Sequence, residues 1–231
     1  MYAPSVTGRL LSGLGELGRK YGVGLQTHIV ESKWEAAQAR LDFPDASCDM
    51  EIYEKAGLLE NGPVAAAHFI YPSDEDIRIL KKYDGVAVQC PDATINVIAG
   101  IMRNSFLRDQ GIRIALGSDI AGGSLPGIYT QIARSVQLSK IKCLYEPDGN
   151  EVLDFKEAFY CAVKEGGSFF GRTGSLEKGY RFDALVIGGL SDPFRVLSPE
   201  ETVERFCYCG NPSHIKARFL GGKELPSFQS C

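Results

Sequence analysis

Two of the three histidines in the chain finish apolar segments that read as strands. Val23-Gly24-Leu25-Gln26-Thr27-His28 ends on one imidazole and Pro63-Val64-Ala65-Ala66-Ala67-His68 on another. A third segment, Arg113-Ile114-Ala115-Leu116-Gly117, runs into Ser118-Asp119, and Glu31 stands three residues past His28. Imidazole with carboxylate is the donor set of a hard-to-borderline divalent ion, and also a set of acid–base groups. His28 and His68 are 40 residues apart, and His68 and Asp119 are 51 apart, so no local motif joins them. Only a fold that gathers strand ends brings them together.

Plainer readings stand beside these. His28 and His68 can be packed residues at strand ends. Asp119 can cap a following helix, and Glu31 can favour the dipole of the helix it precedes. Gly122-Gly123 lacks the Lys-Ser/Thr of a phosphate loop and reads as a turn. His214, between Ser213 and Ile215, reads as a surface residue, and Trp34 as packing. Cys90, beside Pro91, lies at another strand mouth.

The elements that must position these residues alternate. Ser5 is a plausible N-cap for a helix carrying Leu10, Leu14 and Leu17, which Gly22 stops. A helix over Trp34 to Arg40 is followed by an irregular stretch holding Pro44. Ser73 with Asp76 makes a capping box for a helix with Ile77 and Leu80 on its apolar face. Gly85-Val86-Ala87-Val88-Gln89 is a further strand, and one helix is expected over Ile98 to Arg108. Helices follow at Ile128 to Leu138 and after Asp154. Strand and helix in this alternation predict βαβ units and a parallel sheet. Beyond them, 183–187, 204–209 and 217–220 read as short β segments.

The bulk properties agree with a globular α/β chain. It has 231 residues, 44% of them apolar and 23% charged, with a formal net charge of −4. That mild acidity argues against a nucleic-acid binder, and no apolar run reaches the roughly 18–20 residues of a membrane span. The N-terminus has neither the basic start nor the apolar stretch of a signal peptide. Seven scattered cysteines, at 48, 90, 143, 161, 207, 209 and 231, form no C-x-x-C pair. Reduced thiols in a cytoplasmic protein are the expectation.

Thr27-His28-Ile29-Val30-Glu31-Ser32, Ala67-His68, Cys90-Pro91 and Gly117-Ser118-Asp119-Ile120-Ala121-Gly122-Gly123 resemble the metal-dependent amidohydrolase superfamily, and within it the guanine deaminases. The stretches 166–171 and 176–185 extend the likeness over nearly the whole chain. The resemblance implies the second half of a (β/α)₈ barrel, strands five to eight, over 1–178. It also implies the C-terminal part of a small β-sandwich over 179–231. By it, His28 and Asp119 are metal ligands, His68 is a catalytic and substrate-binding histidine, Asp119 is also the base, and Glu31 is the proton shuttle. One divalent metal, zinc with iron as the alternative, and a small purine substrate follow, with a homodimer for the full-length protein. The implied reaction is hydrolytic deamination of guanine. The alternatives are a hydrolase of another purine, a pterin or a triazine, and a short inactive relative acting as a binding or oligomerisation partner.

The chain departs from the family pattern in three ways. It contains no His-x-His, the pair that the family places on its first strand. The family's guanine-contacting arginine falls at Met1. Gln89 and Thr94 stand where His and Asn are common. A partial barrel with Val64, Val86, Val88 and Ile114 on its inward face is therefore expected.

Overall fold

Thr7, not Ser5, caps the first helix: its side chain accepts from the Leu10 N–H, and Gly22 at φ 60° closes α1 (Gly8–Tyr21). The computed structural model describes residues 2–147, 149 and 151–226; Met1 and Cys231 lie outside them. After α1 the chain alternates as β1 (Leu25–Ile29), α2 (Lys33–Asp42), α3 (Asp49–Lys55), β2 (Val64–His68), α4 (Asp74–Lys82) and β3 (Val86–Gln89). It continues with α5 (Pro91–Val97), α6 (Asn104–Asp109), β4 (Arg113–Leu116), α7 (Ile128–Tyr145) and α8 (Phe155–Tyr160). A π-helical stretch, Cys161–Glu165, leads from α8 into the short α9 (Gly166–Ser168).

The four strands form one parallel sheet in the order β1-β2-β3-β4. The register pairs Thr27 with Ala66, Ala66 with Ala87, and Ala87 with Ile114. Side chains alternate between faces, so these residues share one side. With Ile29, Val64 and Leu116 they line the helix-covered face, and the apolar ones join the main core with Leu11, Ile52, Ile79, Leu107 and Ile132. Burying one such side chain contributes about 1.5–3 kcal/mol. Gln26, His28, Ala67 and Val88 lie on the opposite face, where Ala65, Val86 and Ala115 pack with Phe169. Val64 and Ile114 are therefore not inward-facing. Their register with Leu25 and Ala87 sends them to the helix side, while Val86 and Val88 do face inward.

Three further expectations from the sequence need correction. The expected helix over Ile98 to Arg108 shrinks to α6, which starts only at Asn104. The preceding α5 has ended at Val97, and Ile98 and Gly100 take φ of 57° and 137°, which keeps the residues between them and α6 out of a helix. Residues 204–209 are not a strand but part of α10 (Pro199–Cys209). Ser198 accepts from Glu201, Glu201 reaches back, and Pro199 pre-sets the first turn, a start signal stronger than the β tendency of Val203, Phe206 and Tyr208. Trp34 is not packing, since it sits near the start of α2, 63% exposed.

The helix α10 packs on α7, with the rings of Tyr129 and Phe206 4.5 Å apart. Beyond the barrel elements, β5 (Ala184–Ile187), β6 (Ile215–Leu220) and β7 (Lys223–Glu224) form a small antiparallel sheet in that order. His214 ends a 3₁₀ turn before β6, and its Nδ1 accepts from the Asn211 N–H at 3.1 Å. Of the six cysteines among the described residues, all are free; four are buried, Cys143 is half-buried and Cys209 is exposed.

The outer strands of the parallel sheet are β1 and β4. On β4, the Ile114 N–H donates to Glu165 Oε2 at 3.0 Å, so a carboxylate stands where a strand would pair. That contact covers one group of the edge, and exposed edges recruit other chains. The 231-residue chain expressed by itself is expected to self-associate. Size-exclusion chromatography with light scattering checks this, and a soluble monomer that unfolds cooperatively would contradict it.

Candidate metal centre

Parallel strands deliver their C-terminal ends to one edge of the sheet, where α/β folds carry their chemistry. His28 is the penultimate residue of β1 and His68 the last of β2, and the register sets His28 beside Ala67. Strict alternation would send His68 to the helix face. At His68, however, the backbone turns to φ 70°, and its ring meets that of His28 edge-on, with centroids 4.6 Å apart. Asp119 arrives from β4 through Gly117 and Ser118, itself at φ 46°. The two glycines after it are dictated by space. A Cβ on Gly122 would stand 2.6 Å from Asp119 Oδ2, and one on Gly123 would stand 2.1 Å from the Ser118 carbonyl oxygen. The expected turn forms there, with Gly123 N–H donating to the Asp119 carbonyl at 2.7 Å.

Both carboxylates span both imidazoles. Asp119 Oδ1 lies 3.7 Å from His28 Nε2, and its Oδ2 lies 3.8 Å from His68 Nε2. On the other side, Glu31 Oε2 is 3.9 Å from His28 Nδ1, and Oε1 is 3.6 Å from His68 Nδ1. These separations are too long for hydrogen bonds. Both ring nitrogens of His68 are buried with no hydrogen-bond partner among the described residues. Buried polar atoms are rarely left so. One donor atom each from His28, His68 and Asp119 lies within 4.8 Å of the others, a group that can bind a metal ion. The orphaned nitrogens and the donor chemistry fit a divalent ion. The capping role open to Asp119 does not apply, since the next helix, α7, starts at Ile128.

Burial sets the protonation states. It lowers His68 to about 4, with His28 adding to the shift, so at neutral pH this ring is uncharged. Burial also lowers His28, against the pull of Asp119. For Glu31, burial, then Glu35, then Asp119 raise the carboxyl to about 6. Cys90 stays a thiol, since burial and the nearby Asp119 push it up to about 12.

Two supporting carboxylates escaped the sequence reading. Asp92, 4% exposed, accepts from the Ser124 N–H and hydroxyl at 2.6 and 2.7 Å and from the Leu125 N–H at 3.1 Å. It thereby pins the loop that follows Asp119. Glu35, 3% exposed, accepts from the Glu31 N–H at 2.8 Å. The Ser32-x-x-Glu35 spacing, a helix-start signature, was the signal available for it. Tyr2 also reaches the site, its ring 6.0 Å from that of His28. The departure at Gln89 lies elsewhere: its side chain faces the helices and accepts from Asn104 and Ser135.

Residues 2–225 match the amidohydrolase family. This chain belongs to that family. Its sheet and helices superpose on a solved guanine deaminase from C. acetobutylicum, with guanine bound in the active site, at a TM-score of 0.91 and 37% identity. That likeness covers 97% of this chain and 54% of the other. Guanine deaminase of Mus musculus is 28% identical, over 98% of this chain and 52% of its own length. A probable guanine deaminase of Schizosaccharomyces pombe is 32% identical over 80% of this chain and 36% of its own. The chain thus spans about half the length of these relatives or less, as a half-barrel with a small sheet attached. Its mouth carries a metal-capable group, as expected of a metal-dependent amidohydrolase. Among the described residues no helix is long and apolar enough to cross a membrane.

Three donor residues without a His-x-His pair make an incomplete chelate. The isolated 231-residue chain is expected to lose zinc during dialysis against a chelator and to show no guanine turnover. Metal analysis after dialysis, with an ammonia-release assay, checks both. Stoichiometric zinc together with turnover would show that these residues suffice.

Proposed function

We propose that the full-length protein hydrolyses guanine to xanthine and ammonia, with zinc as its metal and His28, His68, Glu31 and Asp119 as working residues. The observation that carries this reading is the pair of carboxylates that each span the same two imidazoles, in a chain 37% identical to a guanine deaminase. His28 and Asp119 would hold the ion, with His68 facing it. When bound, a divalent metal lowers the pKa of water to about 7.

The chain's own residues divide the remaining work. Asp119 takes the proton of the attacking water as the new C–O bond forms at the amino-bearing carbon. His68, uncharged because it is buried, keeps a lone pair that can accept from that water, while the N–H on its other nitrogen can donate to developing negative charge. Glu31 delivers a proton to the ring nitrogen beside the attacked carbon, which makes that carbon electrophilic. Asp119 then passes the water's proton to the amino group, the C–N bond breaks and ammonia leaves, and the hydroxyl on the attacked carbon becomes the new carbonyl as its proton returns to Glu31. A carboxyl held at about 6 both gives and takes protons near neutrality, as efficient general acid–base catalysis requires.

In the full-length protein, Glu31→Gln is expected to lose about 10²- to 10⁴-fold in turnover while keeping its metal. Asp119→Asn is expected to lose both metal and rate. Steady-state assays against guanine, other purines, a pterin and a triazine, run beside metal analysis, test the substrate and the roles together. Near-normal turnover in Glu31→Gln would remove the shuttle assignment, and a wild-type preference for another ring system would remove guanine.

A further inference from the structure

Glu35 occupies the first turn of α2, and its carboxylate reaches back beyond the N-cap: with the Ser32 N–H that a capping glutamate faces, it also meets the N–H groups of Glu31 and Val30. The cap is already supplied: Ser32 Oγ accepts from the Glu35 N–H at 3.1 Å. The close hydrogen bond of Glu35 Oε2 is to the N–H of Glu31, one residue before the cap, at 2.8 Å. That is the residue whose side chain stands 3.6 and 3.9 Å from the two imidazoles. The carboxylate making this bond belongs to a residue 3% exposed, and its other oxygen, Oε1, is buried with no hydrogen-bond partner among the described residues. Burying a carboxylate is costly, and here the backbone N–H groups of the 30–32 turn offset that cost, Glu31's first.

The turn it holds is strained. Val30, a β-branched residue, sits at φ 47°, a region such residues rarely enter. The turn is held from both sides: the Val30 carbonyl accepts from the Ile70 and Tyr71 N–H groups at 3.3 and 3.1 Å, while Glu35 takes the Glu31 N–H. Strained backbone persists where the surroundings over-determine it.

We infer that Glu35 is a positioning residue for Glu31, clamping the 30–32 turn from behind so that the Glu31 carboxylate stands between the two imidazoles. Glu35 touches neither metal nor substrate in this role. It acts only through the place it gives to Glu31, and the effect on rate rests on the deaminase reading above.

The test compares Glu35→Ala with Glu35→Gln in the full-length protein. An ångström-scale misplacement of a working group costs about 10²-fold in rate. Glu35→Ala is therefore expected to lower kcat by about that factor, with KM and zinc content unchanged. The glutamine amide oxygen can accept the same N–H, so Glu35→Gln is expected to recover most of the lost rate. Hydrogen–deuterium exchange over residues 29–34 gives a readout independent of turnover. The Glu31 amide should lose protection in Glu35→Ala and keep it in Glu35→Gln. Wild-type kcat in Glu35→Ala, loss of zinc along with rate, equal damage in both variants, or unchanged exchange would each overturn the inference. If the wild-type protein does not deaminate guanine, the functional reading falls and the exchange measurement alone decides whether Glu35 holds the turn.

Discussion

Parallel pairing is the constraint on which the site depends. Parallel strands all finish at one edge, so His28, His68 and the approach to Asp119 share a mouth before any side chain has met another. The register does the rest for His28, whose neighbour across the ladder is Ala67, a small residue that leaves room above it. A one-residue slip of β1 would send His28 to the helix face and bring Thr27 or Ile29 to the mouth. Backbone departures then adjust what pairing begins. Val30, His68, Phe69 and Asp119 all take positive φ just where their strands give way to loops. Strain gathered at the ends of otherwise regular strands is the pattern of a functional rim.

Loss of water acts on the two residue types in opposite directions. It strips charge from the imidazoles, lowering His28 and His68, and it holds a proton on Glu31 up to about 6. Titratable neighbours pushed apart in this way can be assigned separate duties. A second tier of carboxylates, Glu35 and Asp92, spends its acceptors on backbone N–H groups of the rim loops. The rim is thus organised by buried acids as well as by the strands beneath it.

Much of this was legible in the sequence because it follows from local rules. Each strand was marked by a short apolar run, and His28 and His68 were read as strand ends because apolar alternation stops there. Ser73 with Asp76 and Asp154 with Glu157 behave as capping boxes written in the chain. The misreadings share one cause, a local tendency overruled by a neighbour or a cap. In α10, β-prone residues follow Ser198-Pro199-Glu200-Glu201, and the cap prevails. The helix α3 lies between Pro44 and Pro63 and is too short for its period to stand out. Its Met50 N–H is satisfied by Asp76 from another helix start, at 2.9 Å. The Ser32-x-x-Glu35 spacing marks Glu35 as a helix-start residue, but its hold on the Glu31 N–H is not legible in the sequence. Its role depends on burial and on which N–H lies within reach, and both belong to the folded chain.

The glycine pair after Asp119 bears on how such a mouth can diverge over descent. A side chain at Gly122 would displace the Asp119 carboxylate, and one at Gly123 would displace the Ser118 carbonyl just before it. Drift toward a new ligand is therefore closed on that wall, whatever the ligand is. It stays open at neighbours with freedom to vary, such as Ile120, 58% exposed, and Leu125, 39% exposed. A lineage built on this half-barrel would keep its imidazoles and carboxylates in place and vary along the flanks of the loop.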